Sequence, residues 1–324
     1  NGLTANFTMH IILWLIKTAK DRLMSSNTRK SIDACAANYG GDADAMREYL
    51  LSGEQQALGL SNRGPIRFDE NGRLAEDIMA AYSACGFYIF ENVISEVELG
   101  DLRADLEALR TTFPAEPGGK LTSAGLPALG ADSRSLSLAW SKPLGDPLGG
   151  TDLANGRHQV KMTELEADKS AAKDVPFLLL GSLQYSEACL RIYGHPQLLA
   201  VAASVNGDDF VPFNEALFIK DPGVGAAVSW HQDGDTHWDS EHFDDGIHGF
   251  NFMAQVYGST AVNGMWVIPG THKAGKIDIK QLVAESGSER LKGAVPLVCA
   301  AGDVIICNRQ LVHGSFPNSG SAPQ

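Results

Sequence analysis

A chain of 324 residues with 39 acidic against 26 basic side chains, net −13 at pH 7, is repelled by the phosphates of nucleic acids and anionic membranes, which are excluded as partners. Its apolar fraction of 44% suffices for a real core, and its length fits one domain with extensions. Five cysteines, Cys35, Cys85, Cys189, Cys299 and Cys307, are odd in number and lack Cys-x-x-Cys spacing, so free thiols in a reducing, cytoplasmic setting are expected in place of a disulfide framework or a zinc site.

Residues 1–73 read as an N-terminal extension, partly helical. The apolar stretch Phe7–Ile16 is too short to span a bilayer and lacks the flanks of a signal peptide. It is read either as translated upstream sequence, with a start near Met9 or Met24, or as a short docking helix. From Ser31 to Ala57 the pattern is weakly helical, with Met46, Tyr49 and Leu50 at i, i+3 and i+4 on one face. A polar break, Ser61–Pro65, follows. Leu74–Cys85 predicts a helix stopped by Gly86, and Phe87–Phe90 predicts the first strand. Ser95-Glu-Val-Glu98 is a capping box, opening a helix whose stripe Leu99, Leu102, Leu106 and Leu109 is core packing. Pro114–Asp174, rich in Gly, Pro and Ser, predicts long loops with short strands, and for its basic residues Arg157, His158 and Lys161 a solvated face is expected ahead of an anion contact. Ser182–Tyr193 and Pro196–Val205 read as two helices, with His195 as a turn residue between them.

After Asn214 the hydrophobic period changes from helical to strand-like. Phe252–Tyr257, Met265–Ile268, Val295–Cys299 and Val304–Cys307 are short segments punctuated by Gly, Asn and Pro, which predicts an antiparallel sandwich or barrel. Within this half lies His231-Gln-Asp233. In an extended segment residues i and i+2 point to the same side, so both side chains can converge on one ion if the fold returns a second histidine, His313, to them. Two neutral imidazoles and one carboxylate are the ligand set of non-haem Fe(II) oxygenases. His237-Trp-Asp239 and His242-Phe-Asp244 repeat the spacing in a polar stretch read as a loop over the site. His231 and Asp233 are preferred because an apolar strand leads into them, with Trp230 placed to shield the metal. Taken without their flanks, these could be surface or core histidines with no metal; the flanking motifs decide for His231, Asp233 and His313 as the catalytic and metal-binding set.

Five ordered motifs flank that set: Lys220-x-Pro-Gly223, Trp230-His-Gln-Asp233, Asn263-Gly with Pro269-Gly-Thr-His272, Gly302-Asp303, and His313-Gly-Ser315. In this order they resemble the phytanoyl-CoA dioxygenase family of Fe(II)- and 2-oxoglutarate-dependent oxygenases. The resemblance implies a mainly β fold with helical additions, a double-stranded β-helix (jelly-roll, cupin-like) barrel buttressed by N-terminal helices. That domain would run over 74–324, with its closing strands beyond Gln324. It implies Fe(II) as cofactor, 2-oxoglutarate and O2 as co-substrates, and hydroxylation of a small-molecule or lipid-like substrate with succinate and CO2 as co-products. Asp233 favours hydroxylation, since related halogenases keep this position small for chloride. In the family an arginine on a following strand holds the far carboxylate of 2-oxoglutarate; here that place falls at Gln324 or just past it. Ser315 matches a residue that donates to this carboxylate, and Asn214 and Gln232 are further cofactor-binding candidates by position. His272 is off the metal in the family. Without the arginine, a non-redox metal-binding barrel, such as an isomerase or a binding protein, is the alternative.

Overall fold

The structure, a computed structural model, describes residues 28–132, 138–233 and 249–324. The apolar stretch Phe7–Ile16, and the loop bearing His237, Asp239, His242 and Asp244, lie outside the described residues. Helices comprise α1 (28–37), α2 (Ala43–Gly59), α3 (Glu76–Cys85), α4 (Glu96–Arg110), α5 (Glu187–Tyr193), α6 (Pro196–Asn206) and α7 (Ile279–Ser286). Among the described residues no helix is long and apolar enough to cross a membrane.

Among the described residues the strands form three sheets. The first has the order β1 (Arg63–Gly64), β2 (Phe87–Phe90), β10 (Val304–Asn308), β7 (Phe250–Ala254). The second runs β6 (Val228–His231), β11 (His313–Ser315), β8 (Trp266–Val267), β9 (Val295–Pro296). A third joins β3 (Leu138–Ser141), β4 (Val175–Leu180) and β5 (Ala216–Phe218). All pairings are antiparallel except β1 with β2. Among the described residues these ladders stay separate and do not close into a single barrel.

Alternation explains why β2 and β10 are apolar at nearly every position. Tyr88, Phe90, Val304 and Ile306 face α3, α4 and α6, against Ile78, Leu99, Leu102 and Val201. Phe87, Ile89, Ile305 and Cys307 face the other way, against Val267, Val295 and Leu297 of the second sheet and its flank. A strand buried on both faces needs apolar residues on both. The far side of the second sheet is covered by α1 and α2: Ile32, Cys35, Met46 and Leu50 share one core with Trp230, Trp266 and Phe316. Tyr49 stacks on Trp266 with centroids 4.6 Å apart. Gly53 permits that approach, because a Cβ there would lie 2.4 Å from the Trp266 ring.

Helix ends follow local chemistry. Ser95 Oγ accepts the Glu98 N–H and Glu98 accepts the Ser95 N–H, closing the predicted capping box of α4. Gly86 ends α3 with φ +83°, as predicted for a left-handed cap. The polar break at Ser61–Pro65 instead supplies β1, whose backbone pairs with β2 regardless of side chains. Strand β4 and helix α7 arise in stretches for which no element was predicted. The α7 signals are an Asp278 cap accepting the Gln281 N–H and Gly287 at φ +70°.

Candidate metal centre

His231 closes β6, Asp233 stands two residues on, and His313 opens β11 directly opposite His231 in the antiparallel register. The ladder thereby removes the separation in sequence. Ligand atoms of the three lie within 4.8 Å of one another. His231 Nε2 is 3.4 Å from Asp233 Oδ1 and His313 Nε2 is 3.6 Å from Oδ2, with the imidazole centroids 4.0 Å apart.

Which ring nitrogens are free follows from their neighbours. His231 Nδ1 lies 2.8 Å from the Ser229 carbonyl and His313 Nδ1 2.9 Å from the Leu311 carbonyl. A carbonyl only accepts, so each Nδ1 carries the proton and each Nε2 keeps its lone pair toward Asp233. Burial pushes His313 down to about 4, with His231 adding to the shift and Asp233 opposing it. Burial alone would raise Asp233, but His313, His231 and Arg157 outweigh it and hold the carboxyl well below its usual range. Near neutral pH this is a neutral His313 beside an ionised carboxylate, as a divalent ion requires. A first-row metal such as iron fits these donors.

Asp233 is held from three sides. Asn251 Nδ2, on β7 of the first sheet, donates to Oδ2 at 2.7 Å, and Arg157 approaches Oδ1 at 3.4 Å. Its backbone N–H donates to the Arg309 carbonyl at 2.8 Å. The group thus lies where the two four-stranded sheets meet.

Two basic residues expected on a solvated face are part of this centre. Arg157 is half-buried against Asp233, and His158 is buried, its ring tilted over His231 at 4.1 Å. His158 Nδ1 is 3.2 Å from both the Ser229 carbonyl and hydroxyl, while its buried Nε2 has no partner among the described residues. Burial, reinforced by His231 and Arg157, drives its pKa down to about 2. Their one signal in sequence was basicity inside an acidic chain. Lys161 alone behaves as expected, exposed and paired with Glu164.

Other expectations shift. Trp230 does not shield the centre: strand alternation turns it into the core behind β6, where Nε1 donates to the Glu289 carbonyl at 2.7 Å. Gln232 also faces away, its amide committed to the Gly275 and Gln310 carbonyls and the Ile277 N–H. Asn214 is exposed in the loop before β5 and caps the Glu215 N–H, so the structure does not bring it to the others. Ser315 is buried two residues beyond His313 and accepts a hydrogen bond from Lys220 Nζ at 2.8 Å. His272 binds the Ser83 carbonyl at 3.1 Å, away from the three ligand candidates.

Two imidazoles and one carboxylate on paired strands define the donor set of the mononuclear non-haem iron class. Residues 82–324 match the phytanoyl-CoA dioxygenase family (PhyH), and the chain belongs to that family. Phytanoyl-CoA dioxygenase 1 of Oryza sativa subsp. japonica is 32% identical over 114 residues, covering 32% of this chain and 38% of that relative. The match therefore spans well under half of the curated relative's length. Among solved structures, EctD from S. alaskensis with 2-oxoglutarate and 5-hydroxyectoine aligns with a TM-score of 0.52 and 21% identity, over 80% of this chain and 76% of that one. The non-heme alpha-ketoglutarate-dependent carbocyclase SnoK from nogalamycin biosynthesis aligns with a TM-score of 0.50 and 13% identity, over 79% and 83%. At these identities the likeness establishes a shared fold.

Proposed function

We propose that this chain is an Fe(II)- and 2-oxoglutarate-dependent dioxygenase on a jelly-roll scaffold. It would hydroxylate a small-molecule or lipid-like substrate, with succinate and CO2 as co-products and O2 as the second co-substrate. The observation that carries this reading is the convergence of His231, Asp233 and His313, with both Nδ1 atoms engaged and both Nε2 atoms turned toward the carboxylate. These three residues would hold the iron. Membership of the phytanoyl-CoA dioxygenase family supports the reaction class, and the fold shared with EctD and SnoK supports the scaffold.

Bound iron supplies the redox chemistry that couples decarboxylation of the keto acid to oxidation of the substrate. The protein's part is to position and shield. Ser229 and Leu311 carbonyls orient the two imidazoles, Asn251 orients Asp233, and His158 covers one face of His231 against water. Asp233 offsets one of the two metal charges, leaving a site that still attracts an anionic chelator.

Anaerobic titration with Fe(II) and 2-oxoglutarate tests this reading through the visible charge-transfer band of a chelated keto acid. The band is expected in the wild type and lost in His313→Ala. Iron bound tightly with no band would sink the dioxygenase reading and favour a non-redox metal site.

A further inference from the structure

Arg157 stands at the metal centre with most of its bonding capacity unused. A guanidinium offers five N–H donors in a planar fork. Here one Nη approaches Asp233 Oδ1 at 3.4 Å, longer than an ordinary charge-assisted hydrogen bond, and the buried Nε–H has no acceptor among the described residues. Arg309, the other guanidinium at Asp233, has partners of its own, among them the Asp233 backbone carbonyl at 3.3 Å. With 28% of its side chain exposed, Arg157 can be reached from solvent. Asp233 is its ion-pair partner among the described residues, and that carboxylate is the group a divalent ion would share. Once Asp233 is so engaged, Arg157 is a half-buried cation short of an anion, a costly state that an arriving carboxylate relieves.

A second unmatched group stands beside it. His158 and His231 both turn Nδ1 to the Ser229 carbonyl, at 3.2 and 2.8 Å, with ring centroids 4.1 Å apart. Two rings hung side by side from one oxygen extend the same way, so His158 Nε2 lies on the side where His231 Nε2 faces Asp233. That nitrogen is buried and has no partner among the described residues. An Nδ1 that faces a carbonyl carries the proton, so Nε2 keeps a lone pair and calls for an O–H or N–H donor. The chain reaches these two residues through a strained turn. Ala154, Asn155 and Gly156 are successively left-handed, at φ +49°, +59° and +69°. Such backbone strains a residue with a Cβ and persists where the surroundings over-determine it, as at ligand clamps. Buried His158 holds the turn in place, together with the Gly150 N–H, which donates to the His158 carbonyl at 2.8 Å.

We propose that Arg157 holds a carboxylate of the organic substrate beside the metal, and that His158 Nε2 accepts an O–H or N–H from the same molecule. This assignment deepens the function proposed above and rests on it: it makes the substrate a small organic acid, bound while the keto acid stays in place. A carboxylate on Arg157 lies one hydrogen bond, roughly 3 Å, from a guanidinium that itself stands 3.4 Å from a ligand oxygen. The substrate's charge is therefore close to the carbon that is oxidised, unlike that of a lipid whose charge lies a chain's length away. In a protein of net −13, such a local cation is what admits an acid.

The test uses trifluoroacetate and its neutral counterpart trifluoroacetamide as probes of the full chain, loaded anaerobically with saturating Fe(II) and 2-oxoglutarate. Binding is read by fluorine NMR, in which the paramagnetic iron broadens a probe held beside it. The visible charge-transfer band reports that the keto acid stays bound. The wild type should bind the anion roughly tenfold or more tighter than the amide, the scale of one charge-assisted hydrogen bond. Arg157→Gln should abolish that preference and leave the amide's affinity as it was. Arg157→Lys, which keeps the charge without the planar fork, should reduce the preference about threefold. His158→Phe removes the lone pair and should weaken the amide about threefold while sparing the anion; an unaffected amide overturns the role given to His158. A preference retained in Arg157→Gln overturns the assignment. So does loss of the band on adding trifluoroacetate, which would place the anion on the iron or in the keto acid's own site. If Arg157→Gln does not fold, an undiminished preference in Arg157→Lys overturns it instead. A wild type that binds iron and shows no keto-acid band overturns the proposed function itself, and this assignment with it.

Discussion

Asp233 is the residue on which the centre turns, because among the three ligand candidates it alone brings negative charge. Replacing it with alanine is expected to abolish both iron binding and turnover; full activity in Asp233→Ala would refute its place among the ligands. Asn251 is a subtler case. It touches no imidazole, yet its amide fixes one carboxylate oxygen from the opposite sheet at 2.7 Å. Loss of such an outer contact usually weakens metal affinity by about 10- to 100-fold. Asn251→Ala should show that loss in an Fe(II) or Mn(II) titration while its thermal unfolding without metal stays near wild type.

Among the elements, α2 offers the sharpest mechanical test. Its residue Gly53 lies against the Trp266 ring of β8, and a Cβ would meet that ring at 2.4 and 2.5 Å. Because a stacked tyrosine and the core hold the indole in place, it cannot retreat cheaply. Gly53→Ala should cost about 1–3 kcal/mol in urea unfolding, the usual range for overpacking. Gly59 ends the same helix with nothing within 4 Å of its would-be Cβ, so Gly59→Ala should be neutral or slightly stabilising. The pair separates close packing from helix propensity. In α4, Ser95→Ala should cost about 1 kcal/mol through loss of the cap.

For the molecule as a whole, the buried histidines dictate a direction of pH dependence. His158 and His313 are pushed by burial to about 2 and about 4, against the ordinary value of 6.5. Below pH 6.5 the unfolded chain takes up protons that the folded chain refuses, so stability falls as pH drops from about 6.5 through 4. Above about pH 7 neither state is protonated at these groups, and their contribution is flat. Two such groups give a slope of up to roughly 2.7 kcal/mol per pH unit. Asp233, held well below its usual range, acts in the same sense at lower pH, since the unfolded chain protonates it first. Denaturant unfolding of the metal-free protein at pH 5 and pH 7 measures this, and His158→Phe should remove about one proton from the slope.

Much of this was legible in residues near one another along the chain. The Ser95 box, the Gly86 cap, the Met46–Leu50 face and the His231–Asp233 spacing are consequences of helix and strand periods a few residues long, so reading them requires no knowledge of the fold. His313 was legible through its Gly-Ser neighbours and the order of the surrounding motifs. The rest depended on contacts between segments distant in sequence. Arg157 and His158 come from a loop without a period, Asn251 reaches across from another sheet, and Lys220 finds Ser315 95 positions away. Trp230 and Gln232 flank the ligands in sequence yet face away, because alternation along a strand separates neighbours that look adjacent on paper. Local periodicity is set by bond geometry and is written into any short stretch. Burial and charge pairing are properties of three-dimensional neighbourhoods, so it was the packing of sheets and loops that brought the buried Lys220 ammonium to the metal-bearing strand.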